Sequence, residues 1–151
     1  MLFRSVNRTG HAQSGAIMAF DILNRLGMDP VETAKVVSAI GNHDESTAAP
    51  VDPMSAAIIL SDKSDVRRTR VRSKDQIDFD IHDRVNYAAE KVSLRVNKKE
   101  HTAVLSIKID TAICPVMDYF QIFLARMVLC RKAADYLGLT FELVINDSRL
   151  L

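Results

Sequence analysis

The sequence of 151 residues predicts an α+β protein: a helical half, then a small antiparallel three-stranded sheet packed on one long helix. Three observations predict it. Up to about residue 66, apolar residues recur at three- and four-residue spacings. Beyond residue 91, two segments alternate with period two. Between the second and third predicted strands stands a long, mostly apolar helical run.

Residues 1–9 read as irregular. A first helix is expected over Gly10–Leu26, with Ala12, Ala16, Ala19, Phe20, Leu23 and Leu26 inward and Gly27 as its terminating glycine. Asp29-Pro30-Val31-Glu32 is a start signal: an aspartate cap, a proline suited to the first helical position and an acid able to close a capping box. The second helix then runs to about Ile40, with Ala34, Val37 and Ile40 inward. Asn42-His43-Asp44-Glu45 follows directly, at its end or on the loop beyond. Asp52-Pro53 repeats the cap-and-proline signal and opens a third helix over Met54–Val66, with Met54, Ala57, Ile58 and Leu60 or Ser61 inward. A basic stretch, Arg67–Lys74, frays into a loop near Ser73. Ile81–Lys91 reads as a helix. Val92–Val96 and Thr102–Ile109 read as strands joined at Asn97-Lys98-Lys99-Glu100, Ala112–Leu137 as the long helix capped by Asp110 or Thr111, and Thr140–Ile145 as the last strand.

A chain of this size forms one domain, or one domain with a small appendage. Net charge is +1, from 20 basic and 19 acidic residues, so nothing global favours nucleic acid or a membrane surface. No apolar run reaches the ~18 residues of a membrane span, and the N-terminal MLFRSVNRTG is too short and too polar for a signal peptide. Cys114 and Cys130 lie about four and a half turns apart in one predicted helix and cannot bridge each other within it. They read as buried small residues, in a reduced, cytoplasmic setting.

The residues that carry chemistry cluster between Ile40 and Arg72. His11, His43 and Asp62 lie near three helix ends, the way helical bundles assemble metal sites, and imidazole with carboxylate suits a divalent ion. The duller reading of each histidine is a solvated or capping side chain. Arg67, Arg68, Arg70 and Arg72 present guanidinium donors suited to phosphate. Their duller reading is a solvated face that neutralises Asp62, Asp65 and Asp75. No aromatic residue is interleaved among them, which disfavours nucleic acid as a partner. His82-Asp83-Arg84 reads as a helix-opening turn. No glycine-rich phosphate loop, CxxC or GxSxG is present.

The segments HAQSGAIMAFDIL, AIGNHDE and AIILSDKSDVRRTRVR, in this order, resemble the HD-domain metal-dependent phosphohydrolases. More narrowly, the chain is similar to a bacterial branch with a C-terminal α+β extension. The resemblance covers essentially the full chain, including DIHDRVNYA and FELVIND. It implies an incomplete HD-type helical bundle over residues 1–79 and the extension over 80–151, packed separately or as one unit. It implies a divalent metal ion (Mn, Fe, Mg, Zn or Ni) held by His11 and His43, matching the two later histidines of the family, and by Asp62, matching its final aspartate. Asp44 is then a neighbour, not the aspartate of the name-giving doublet. The family's first histidine and its His-Asp doublet, which precede the HAQSGA helix, have no counterpart here, so the resemblance implies a weak or inactive phosphohydrolase. The implied substrate is a phosphorylated small molecule or nucleotide, with Lys63, Arg67, Arg68 and Arg70 on the phosphate. Uncovered apolar faces imply a homo-oligomer. The alternative is a non-catalytic α+β interaction or ligand-sensing module that oligomerises.

Overall fold

The computed structural model describes residues 10–45, 47–71 and 81–150. The expected irregular stretch 1–9, Arg72 and the loop near Ser73 lie outside them, as does the side chain of Arg70.

Local signals set the helix starts. Helix α1 spans His11–Arg25 and ends ahead of Gly27, whose φ of 72° suits the left-handed residue that follows a helix. Helix α2 spans Pro30–Gly41; the Asp29 carboxylate accepts from the amides of Val31 at 2.9 Å and Glu32 at 3.1 Å. Helix α3 spans Pro53–Lys63 under a reciprocal cap: Ser55 N–H donates to Asp52 Oδ1 at 2.7 Å, and Ser55 Oγ accepts from the Asp52 amide at 2.9 Å.

The buried faces of the first three helices match expectation only in part: Ala12 and Ala16 of α1 and Leu60 of α3 are buried as expected. On α1 the buried residues are Ala12, Gly15 and Ala16, while Phe20 and Leu26 are 53% and 76% exposed. Small side chains let α1 and α2 approach closely: a Cβ on Gly15 would stand 3.4 Å from Ile40 Cγ2. On α2 Thr33 and Ala39 are buried, and Ala34 is exposed. On α3 the buried set is Ser55, Ala56, Ile59, Leu60 and Lys63, in place of Met54, Ala57 and Ile58. The run MSAAIIL is apolar almost all round, so its sequence leaves the phase open; packing against the long helix decides it.

A 3₁₀ turn, Arg68–Arg70, follows α3, and α4 spans Ile81–Ala88. Strand β1 then starts at Ala89, inside the stretch expected to be helical to Lys91, because Ala89 pairs with Ile109 in the sheet. Strand β2 is Thr102–Ile109. The long helix α5, Val116–Tyr136, starts after Pro115 and not at residue 112. Proline disfavours helical conformation in the residue before it, and residues 111–114 form a turn in which the Asp110 carboxylate accepts from the Ala112 amide at 3.0 Å. Cys114 therefore precedes α5 while Cys130 lies within it, and both are free and buried.

The sheet corrects the expected topology. Among the described residues it has four strands in the order β1-β2-β3-β4, where β3 is Thr140–Ile145 and β4 is Ser148–Arg149. Strands β2 and β3 are parallel; the outer pairs are antiparallel. The physical reason is the connection: a helix running back between β2 and β3 returns the chain in the same direction. Strand β4 hangs on a two-residue turn, Asn146-Asp147, whose φ values of 46° and 66° make the tight hairpin geometry.

One core joins the two halves of the chain. Ala103, Leu105, Ile107, Ile109, Phe141, Leu143 and Ile145 alternate along β2 and β3 onto α5, which contributes Tyr119, Phe123, Met127 and Cys130. Ala56, Ile59 and Leu60 of α3 belong to the same cluster. The α1–α2 hairpin stands beside it and meets α3 through α2.

Candidate histidine site

His11 is the first residue of α1, and His43 lies two residues past the end of α2. Thirty-two positions apart in sequence, they face each other. Their Nε2 atoms are 3.2 Å apart, with ring centroids at 5.0 Å and planes at 79°. The opposite nitrogen of His43 fixes the chemistry. Nδ1 lies 2.6 Å from the carbonyl oxygen of Ile40, an acceptor only, so Nδ1 carries the proton and donates it. In the neutral ring Nε2 then presents a lone pair toward His11. A backbone carbonyl behind one ring nitrogen is the arrangement that orients metal-binding histidines.

The loop carrying His43 is tied to α1 and to α5 and braced by a bond of its own. Gln13 Nε2 donates to Thr47 Oγ1 at 3.3 Å, and the Thr47 amide donates to Asp44 O at 3.0 Å. Glu45 forms an ion pair with Arg126 of α5, whose guanidinium also lies 4.6 Å from the centroid of the Phe123 ring. Farther along, Tyr136 Oη donates to Val51 O at 3.1 Å.

Arg126 lies outside the residues that type and spacing single out in the sequence. The signal available was a lone guanidinium amid the apolar run IFLARMVLC, a setting that demands a carboxylate partner.

Asp62 and Lys63 close α3. Lys63 is 5% exposed, yet its Nζ reaches Asp62 Oδ2 at 2.7 Å. Their charges, with those of Arg126 and Glu45, act on the Cys130 thiol. Burial pushes the Cys130 thiol up to about 12; Lys63 and Arg126 pull against that shift, and Asp62 and Glu45 add to it.

The predicted ligand set is assembled in part. Among the described residues no group of three or more His, Cys, Asp or Glu side chains converges in a way that could hold a metal ion. Asp62 therefore does not complete a three-ligand group with His11 and His43. The histidines themselves fit. Two nitrogens each about 2.0–2.1 Å from one ion stand roughly 2.9–3.3 Å apart, between right-angle and tetrahedral geometry, and the observed 3.2 Å lies in that range.

Of the predicted phosphate-binding residues, Lys63, Arg67 and Arg68 have intramolecular partners. Arg67 pairs with Asp65, whose hydrogen bond and charge raise the Arg67 pKa above its ordinary value. Arg68 Nε donates to Tyr87 O at 2.7 Å, and its guanidinium stacks 4.5 Å from the Tyr87 ring centroid, tying the 3₁₀ turn to α4. Lys63 is buried on Asp62. One feature keeps a ligand role open for Arg67: with Asp62, Asp65, Ser64 and Ser93 it lines a groove of about 430 Å³ between the end of α3 and β1. A larger concavity, about 940 Å³, lies on the open face of the sheet, lined by Arg95, Val104, Ser106, Lys108 and Val144.

No family model, curated protein or solved structure matches the chain. No helix among the described residues is long and apolar enough to cross a membrane.

Proposed function

We propose that this chain is a metal-dependent phosphohydrolase-like protein acting on phosphate esters, with a phosphorylated small molecule or nucleotide as substrate. The observation that carries the reading is the histidine pair. Two imidazoles from separate helix ends face each other through Nε2 at 3.2 Å, one of them held by a backbone carbonyl. His11 and His43 are the residues that would hold a divalent ion. Such an ion, when bound, supplies a Lewis acid that polarises a phosphoryl oxygen and makes bound water more acidic.

The chain's own contribution is orientation. The Ile40 carbonyl holds the His43 ring. Asp62 and Arg67 share the groove at the end of α3, where a guanidinium exchanging Asp65 for a phosphoryl oxygen would place the ester.

Titration with Mn²⁺, followed by assay of phosphomonoesters and nucleotides with and without the ion, tests the proposal. Binding lost in His43→Ala, with ion-dependent hydrolysis in the parent chain, supports it. Equal Mn²⁺ affinity in parent and variant rules it out.

A second reading has its own observation. Ile17, Phe20, Ile22 and Leu26 of the α1 region are 71%, 53%, 48% and 76% exposed. Apolar exposure on that scale favours an interaction module that self-associates. Sedimentation showing a defined oligomer, with no Mn²⁺ bound at millimolar concentration, selects it over the hydrolase.

A further inference from the structure

His11 opens the α1–α2 hairpin and His43 lies on the loop that leaves it, yet most of the shared core lies elsewhere, in α3, α5 and the sheet. The loop from Asn42 to Asp52 joins the hairpin to α3, and α5 grips that loop at two places. Near its start Arg126 pairs with Glu45, two residues beyond His43; near its end Tyr136 donates to Val51 O.

Arg126 is preset for this task. Its side chain is 19% exposed, laid along Phe123 one turn earlier on the same helix, so little rotamer freedom remains to be lost. A partly buried guanidinium–carboxylate pair is directional in a way a surface pair is not.

We infer that Arg126 is the positioning residue of the histidine site: through Glu45 it fixes the loop that holds His43, so the C-terminal helix–sheet unit sets the geometry of the His11–His43 pair. This rests on the proposed metal reading for its functional consequence, though not for the tie itself. Arg126 is not a candidate catalytic residue, because its guanidinium is committed to Glu45 and the Phe123 ring. The bond at Ile40 orients the His43 ring about its own axis, whereas the Glu45–Arg126 pair restrains where the whole loop sits.

The test uses the full chain with R126M, R126K and E45Q. Backbone amide exchange across residues 42–49, measured without metal, reads the tie. R126M and E45Q are expected to raise exchange there by about tenfold while α5 and the sheet stay protected. R126K is expected to recover part of the protection, since an ammonium keeps the charge but loses the fork. Mn²⁺ affinity is expected to fall about tenfold in R126M, the loss usual for a group supporting a ligand.

Unchanged loop exchange in both R126M and E45Q overturns the inference. So does exchange rising uniformly over α5 and the sheet, which marks a general stability role. Equal Mn²⁺ affinity in parent and R126M overturns the positioning role and leaves the metal reading standing. Loop exchange responding as stated in a parent chain that binds no Mn²⁺ overturns the metal reading and leaves the tie.

Discussion

His11 Nε2 and His43 Nε2 stand 3.2 Å apart, on rings that no local interaction brings together. The contact exists because small residues on α1 and α2 let the two helices close, setting the first residue of one beside the exit of the other. With the His43 Nδ1 proton donated to Ile40 O, Nε2 of the neutral His43 ring turns its lone pair toward His11 Nε2.

His43→Ala removes both functions of the ring. The Ile40 carbonyl loses its side-chain donor, a loss of about 1 kcal/mol. Any divalent ion bound at the pair loses one of two nitrogen ligands. Thermal unfolding and Mn²⁺ titration of the same variant are expected to separate a small stability change from a tenfold or larger loss of affinity. A stability change with no affinity change assigns the pair a structural role only.

Asp62 and Lys63 respond unequally to replacement. Asp62→Ala strands a buried ammonium, and the expected loss is about 2–3 kcal/mol, below the range for a fully buried pair because water reaches the Asp62 side chain, which is 32% exposed. Lys63→Met removes the buried charge and leaves the carboxylate where water reaches it, so it is expected to cost under about 1 kcal/mol. Urea unfolding of the two variants checks the order; Lys63→Met being the worse would refute the burial argument.

Asp52 and Ser55 form the reciprocal cap that starts α3 and so sets the position of Asp62. Asp52→Ala is expected to destabilise by about 1–2 kcal/mol, read as a lower Tm. Ser55 is fully buried and bonded to both the Val51 and Asp52 amides, so Ser55→Ala is expected to be at least as damaging.

Cys130 gives the protein an alkaline limit. Burial raises its thiol from 9.0 to about 12, so the folded state holds this proton more tightly than the unfolded chain. The resulting stability is full below pH 9 and declines as pH climbs toward 12, by up to about 1.4 kcal/mol per pH unit for one such group. Burial raises the Tyr119 hydroxyl in the same direction. Urea midpoints between pH 8 and 11 are expected to fall in the parent chain and to fall less steeply in Cys130→Ala. Alkylation of Cys130 in the folded protein at pH 8 is expected to be slow, because little thiolate is present.

Much of the fold is legible in local chemistry. Asp29-Pro30 and Asp52-Pro53 mark helix starts because a short carboxylate and a fixed φ satisfy the first turn without help from the rest of the chain. Gly27 and Gly138, at φ 72° and 71°, mark helix ends because the left-handed region suits glycine. The period-two alternation of β2 and β3 shows directly as burial, with Leu105 and Leu143 at 0% exposure.

The rest needed the third dimension. The parallel pairing of β2 with β3 follows from where α5 lies, and Ala89 is strand because Ile109 is beside it. The phase of α3 is chosen by α5, since its sequence is apolar on nearly every side. The site shows the same division. Residue types nominated His11, His43 and Asp62 equally; the fold joined the histidines and left Asp62 with Lys63. Arg126 entered only through a contact with Glu45 across 81 positions. Caps and alternation are written within a few neighbouring residues, so the sequence alone determines them. Which side chains meet depends on how whole elements pack, and only the tertiary structure decides that.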